Sequence, residues 1–131
     1  MIGLDTNVLV RLLTRDDEAQ AEKSRALLER HAAEDGALFV SDVVVAELTW
    51  TLERAYGLGK QDIARAIGAL AQNATLRFES REVLRRAQEI YAGSKAGFAD
   101  CLILVKAMNA GCESLATFDK SMRALPGALS S

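Results

Sequence analysis

The sequence has one proline among 131 residues, one histidine, two cysteines and few aromatics (5%). Each scarcity excludes something. Pro126 lies near the C-terminal end, so ring clashes and missing N–H donors interrupt no helix before it. Cys101 and Cys112 match no zinc-ligand spacing, and the lone His31 stands in a charged stretch and reads as surface. Cys101 sits in an apolar run and reads as a small core residue. No apolar run reaches the roughly 18 residues of a membrane span. The opening MIGLDTNVLV has neither the basic stretch nor the cleavage pattern of a targeting segment. The expectation is a cytoplasmic protein with no membrane contact. There is also no excess of positive charge: 16 Lys and Arg stand against 18 Asp and Glu, for a net charge of -2. That excludes coating nucleic acid by bulk charge, though not a local grip on it.

Half the chain is apolar, enough for a real core. Its length suits a single domain over residues 1–131. Abundant Ala, Leu and Arg favour helices. Strand and helix patterns alternate. Ile2 to Leu4 reads as a short strand, then a helix to Leu13 with Thr6 or Asn7 as its cap. Asp16 to Ala33 reads as a charged helix with apolar or small positions at Ala19, Ala26, Leu27 and Leu28. Ala37 to Val40 is a buried strand, and Ser41 caps a helix running to about Tyr56. Gly57 and Gly59 break it before a helix over Lys60 to Gln72, striped by Ile63, Ala66, Ile67 and Leu70. Thr75 to Phe78 is a third strand, and Ser80 starts a helix to about Ala92. Phe98 to Asn109 is the next helix, closed by Gly111. Ser114 to Thr117 is a fourth strand, followed by a short helical turn. Strands separated by helices pair in parallel through right-handed crossovers. The predicted fold is a three-layer α/β/α domain with a central parallel sheet of four to five strands.

Four carboxylates stand out against this frame. Asp5 and Asp119 follow the first and fourth strands, where open parallel sheets gather functional groups. Each also fits an ordinary helix cap or turn. Glu47 lies inside a helix with Val43, Val44, Trp50 and Thr51 one turn away. That face should point to the core, where a lone carboxylate costs several kcal/mol unless paired or metal-bound; Arg54 and Arg11 are the candidate partners. Asp100, with Gly97, Ile103, Leu104 and Ala107 as helical neighbours, repeats the pattern, though a first-turn acid is also favourable to its helix. Two like charges about 4 Å apart repel by roughly 4 kcal/mol at an effective dielectric of 20. Four acids meeting in one place therefore call for protons or a cation. Oxygen ligands without Cys or His favour Mg²⁺ or Mn²⁺, whose bound water can attack a phosphodiester.

Four segments carry a resemblance: Ile2-Gly3-Leu4-Asp5-Thr6-Asn7, Ser41-Asp42-Val43-Val44-Val45-Ala46-Glu47, Phe98-Ala99-Asp100-Cys101-Leu102-Ile103 and Ala116-Thr117-Phe118-Asp119. In order, spacing and context they resemble the PIN-domain family, and within it the toxin ribonucleases of bacterial type II toxin–antitoxin pairs, the VapC group. The resemblance implies a metal-dependent endoribonuclease with Asp5, Asp100 and Asp119 as metal ligands. Glu47 would be the general base, and Thr6, Asn7 and Thr117 would orient carboxylates or phosphate. It also implies a homodimer and a cognate antitoxin partner. Gly97 departs from the pattern, since many relatives carry an Asp there.

An RNA substrate needs positive charge at the rim, for which Arg11, Arg15, Arg54, Lys95 and Lys120 are candidates, although each reads more readily as ordinary solvated surface charge. Trp50 and Tyr56 read as core or dimer contacts rather than base-stacking platforms. A competing reading is a catalytically silent PIN-like module that dimerises or binds an antitoxin. A third reading, a phospho-acceptor or phosphatase built on Asp5, fits poorly: the first would want a partnering Lys after a late strand and the second an Asp-x-Asp near the N-terminus, whereas Asp5-Thr6-Asn7 has no second acid.

Overall fold

The structure, a computed structural model, describes residues 1–130. It falls into two compact units, residues 1–79 and residues from Ser80 onward. The first unit runs β1 (Ile2–Gly3), α1 (Thr6–Leu13), α2 (Glu18–Arg30), β2 (Leu38–Val40), α3 (Asp42–Arg54), α4 (Lys60–Ala71) and β3 (Leu76–Phe78). Its three strands lie in the order β1-β2-β3, all parallel, with Ile2 opposite Leu38 and Leu38 opposite Leu76. Helices intervene between successive strands, as parallel pairing requires. Leu38, Val40 and Leu76 are fully buried, as are Leu9, Leu48, Leu52 and Ile63 on the helices. Each such side chain contributes roughly 1.5–3 kcal/mol relative to exposure.

The second unit runs α5 (Arg81–Ala92), α6 (Phe98–Asn109), β4 (Leu115–Thr117), α7 (Lys120–Arg123) and β5 (Ala128–Ser130). Strands β4 and β5 pair in parallel as a separate two-stranded sheet. Helices α5 and α6 pack together, with Tyr91 edge-on to Phe98 at 5.5 Å between ring centroids. An edge-to-face pair of this kind contributes about 0.5–1.5 kcal/mol beyond its buried area. Cys101 is buried, as expected of a small core residue, whereas Cys112 is exposed.

Local chemistry explains most boundaries. Ser41 and Ser80 cap α3 and α5 by accepting from the N–H groups of Val44 and Val83, both at 3.2 Å. After α3 the chain turns through Gly57 at φ 64°, a conformation that glycine adopts without a Cβ penalty. Helix α6 occupies Phe98–Asn109, the span predicted, and β1 to β4 fall within a residue or two of their expected positions.

Three expectations are corrected. The cap of α1 is Asp5, not Thr6 or Asn7, because the carboxylate reaches the Thr6 N–H and helical geometry begins one residue earlier. On α2, Ala19 and Ala26 are exposed and the buried positions are Ala21 and Ser24; small residues fill a close helix approach where size matters more than hydropathy. On α3 the core side is Val45, Leu48, Thr49 and Leu52, while Val43 and Trp50 are 67% and 63% exposed. The face holding Glu47 therefore points outward, and Trp50 is not a core residue. No helix among the described residues is long and apolar enough to cross a membrane.

Candidate active site

In the first unit the end of β1 delivers Asp5 to the start of α1. Its Oδ1 accepts the Thr6 N–H at 2.8 Å, satisfying one of the free amides of the first helical turn. The Thr6 side chain is buried, and its hydroxyl donates to Glu47 Oε1 on α3 at 3.3 Å. One threonine thus serves two acids, through its backbone for Asp5 and its side chain for Glu47. Both acids are exposed. The desolvation cost expected of Glu47 on a core-facing surface does not arise, and neither Arg11 nor Arg54 is its partner.

Arg11 is committed elsewhere. Its Nε donates to Gln20 Oε1 at 2.8 Å, and one terminal nitrogen donates to Asp16 Oδ1 at 2.9 Å and to the Tyr56 hydroxyl at 3.2 Å. Tyr56 in turn donates to Asp16 Oδ2 at 2.7 Å. The Tyr56 bond is the largest influence holding the Asp16 carboxyl below its ordinary range. Asn7, Arg15, Arg54, Lys95 and Lys120 are exposed. His31, expected on the surface, is mostly covered: its side chain is 18% exposed, with Nδ1 3.5 Å from Glu34 Oε1.

In the second unit Asp100 sits three residues into α6, after the Gly97 cap. Burial pushes its carboxyl above the ordinary range, and the negative charge of Asp119 pushes it the same way; a hydrogen bond from the Gly97 N–H opposes both. That reach back to the cap is half of a capping box. Asp119 follows β4 and caps α7, with Oδ1 accepting from the Ser121 N–H at 2.8 Å, the Ser121 hydroxyl at 2.6 Å and the Met122 N–H at 3.3 Å. The Ser121 hydroxyl is the largest of the influences that hold Asp119 below its ordinary range. Thr117 acts on the backbone, its hydroxyl accepting the Asp119 N–H at 3.0 Å, and so sets the turn that presents the acid.

Asp5 and Asp119 are thus helix caps, the ordinary role open to either from sequence. Each is also accompanied by a second acid within its own unit, Glu47 through Thr6 and Asp100 through charge. Among the described residues, no three His, Cys, Asp or Glu side chains are gathered as a metal-binding group. The donors present are carboxylates, hydroxyls and amides, a chemistry that suits a hard oxygen-seeking cation. Sequence reasoning missed Ser121, although the spacing Asp119-Lys120-Ser121 is the pattern of an aspartate-capped turn.

The sequence matches the PIN domain family over residues 2–128. It is 28% identical over 122 residues to a VapC ribonuclease of Aquifex aeolicus (strain VF5), an alignment covering 93% of this chain and 90% of that protein. A structural comparison pairs it with a toxin–antitoxin complex from Klebsiella pneumoniae at 20% identity and a TM-score of 0.38, over 99% of this chain and 97% of that one. With the family's sequence pattern running through both units, and an acid at the end of β1 and of β4, the chain belongs to the PIN-domain family.

Proposed function

We propose that the protein is an endoribonuclease dependent on Mg²⁺ or Mn²⁺, acting as the toxin of a toxin–antitoxin pair. Its functional residues are Asp5 and Glu47 in the first unit and Asp100 and Asp119 in the second. The observation that carries the reading is the PIN-family match, which spans all four acids. Beside it, burial raises the proton affinity of Asp100 and the negative charge of Asp119 adds to the effect, a repulsion of the kind that a cation relieves. The alignment with a VapC ribonuclease over 93% of the chain supports RNA as the substrate class, and a family match running from residue 2 to residue 128 supports one functional domain.

By the family resemblance, Asp5, Asp100 and Asp119 are the residues that would act as metal ligands. When bound, a divalent cation supplies Lewis-acid activation of water and charge neutralisation at phosphate. Hydrolysis joins a water oxygen to phosphorus, breaks the bond from phosphorus to the leaving oxygen, and delivers a proton to that oxygen. Glu47 suits the role of base: it is exposed, and the Thr6 hydroxyl occupies Oε1, which leaves Oε2 to take the proton. Thr117 and Asn7 hold backbone and phosphate in place. The reading extends to a cytoplasmic homodimer bound by a cognate antitoxin, as for toxins of this group.

The test is cleavage of single-stranded and structured RNAs in Mg²⁺ or Mn²⁺, with and without chelator, beside Asp5→Asn and Asp100→Asn. Cleavage that needs the metal and disappears in both variants supports the enzyme. Equal cutting by wild type and variants points to a contaminant and removes the assignment. A wild type that cuts nothing yet binds an antitoxin is a silent binding module.

A further inference from the structure

The first unit contains an open cleft of about 260 Å³ lined by Asn7, Val8 and Arg11 of α1 and by Gln20, Lys23 and Ser24 of α2. Its charged lining is entirely positive. We infer that this cleft is a subsite for a backbone phosphate of single-stranded RNA, which rests on the ribonuclease reading for its choice of ligand.

Three features carry the inference. Spacing comes first: Asn7 and Arg11 lie one turn apart on α1, and Gln20, Lys23 and Ser24 share one face of α2, so both helices turn hydrogen-bonding groups to the same opening. Preorganisation is the second. Gln20, Asp16 and Tyr56 fix the Arg11 guanidinium through Nε and one terminal nitrogen, leaving the other terminal nitrogen to donate to a ligand. Holding the fork in place beforehand lowers the entropy lost on binding. The third is the residual charge. Asp16 offsets Arg11, whereas Lys23 is exposed and has no ion pair among the described residues, so the cleft keeps an uncompensated ammonium. The position also fits a polymeric ligand, because Asn7 lies two residues beyond Asp5 and a strand engaged at Asp5 has its neighbouring phosphates within reach of α1. An acidic side chain would meet the same groups with only two oxygens, whereas a phosphodiester brings further acceptor oxygens for the amides and hydroxyl of Asn7, Gln20 and Ser24.

The experiment measures binding of a short single-stranded RNA by fluorescence anisotropy across a salt series, with chelator present so that nothing is cut. Wild type is compared with Lys23→Gln, Lys23→Glu and a control, Arg30→Gln, which removes one positive charge about 10 Å further along α2. Lys23→Gln is expected to lower the slope of log affinity against log salt by about 0.7, the value for one phosphate on a single strand. It should also weaken binding about threefold to fivefold, the scale of an exposed charge pair. Lys23→Glu should weaken it further, and Arg30→Gln much less. In metal, Lys23→Gln should raise KM and leave kcat unchanged. An unchanged slope in both Lys23 variants overturns the subsite. So does equal weakening by Arg30→Gln, which would be bulk charge, or a loss confined to an acidic peptide offered in place of RNA. If wild type binds RNA with this Lys23 dependence yet cleaves none, the subsite stands and the ribonuclease reading falls.

Discussion

A Cβ built on Gly97 would lie 3.5 Å from Asp100 Oδ2, an ordinary contact, so the absence of a side chain at the start of α6 opens the space beside that carboxylate without being required by packing. The backbone at Gly97 has φ -71° and ψ 160°, open to any residue. Gly97→Asp should therefore fold normally, changing stability by only a few tenths of a kcal/mol as the new side chain caps α6. Its added charge should raise the Asp100 pKa further. The acidic limb of the pH–rate profile should move to higher pH, and a profile that stays in place would mean that Asp100 does not limit the rate.

The two acids of the second unit should titrate in opposite directions from ordinary aspartate. Carbon-detected NMR of the side-chain carboxyls should find Asp100 raised and Asp119 lowered, and Asp119→Asn should bring Asp100 down by removing the charge that lifts it. The linkage signs follow. Asp119, depressed in the folded state, contributes stability that is present above its unfolded pKa and lost as pH falls through its folded value. Asp100, elevated, contributes stability that is present below its unfolded pKa and lost as pH rises through its folded value. Asp100→Asn should accordingly be neutral or mildly stabilising at pH 7 in thermal melts. A clear drop in Tm would contradict the assignment of burial as the main cause.

Replacing Thr6 by Val deletes the hydroxyl that donates to Glu47 while keeping the N–H that Asp5 accepts. A hydrogen bond to a charged group contributes about 1.5–3 kcal/mol, and at 3.3 Å this one belongs at the low end. The expected effect is roughly a tenfold fall in kcat with little change in KM, beside a Tm lowered by about 3–8 °C. Thr6→Ser should restore most of the activity.

The orientation of α3 can be checked by stability alone. Leu48→Ala empties a fully buried site and should cost about 2–5 kcal/mol in chemical denaturation. Trp50→Ala, although it removes far more side chain, should change stability by under about 0.5 kcal/mol because the indole is exposed. Similar costs for the two would turn the helix the other way.

These contrasts show what was legible in the sequence. Serine caps, glycine stops and alternating strand and helix patterns located nearly every element, because those signals are local. The rotation of α3 was not legible. Val43, Val44, Val45, Leu48, Trp50 and Leu52 leave no clearly polar side, so periodicity does not choose which stripe is buried. Glu47 looked like a charge aimed at the core for that reason, and its true anchor, the Thr6 hydroxyl, is 41 positions away. Asp5 and Asp119 were legible as acids ending strands, and so was the Asp-x-Ser turn pattern of Asp119 and Ser121; what that pattern does not carry is that the Ser121 hydroxyl itself donates to Asp119 Oδ1. Arg11 was expected at an RNA rim; its ties to Asp16, Gln20 and Tyr56 come from three separate segments of the unit.

That Asp5 and Asp119 are held by backbone amides has a genetic consequence. The oxygen that accepts those N–H groups is present in asparagine as well as aspartate, and asparagine is an equally good cap. Exchanging either acid for its amide removes a charge while keeping the turn, and the two residues are a single nucleotide apart in their codons. If the carboxylates act as proposed, a lineage can silence such a toxin in one mutational step and keep a folded protein, still able to meet its partners.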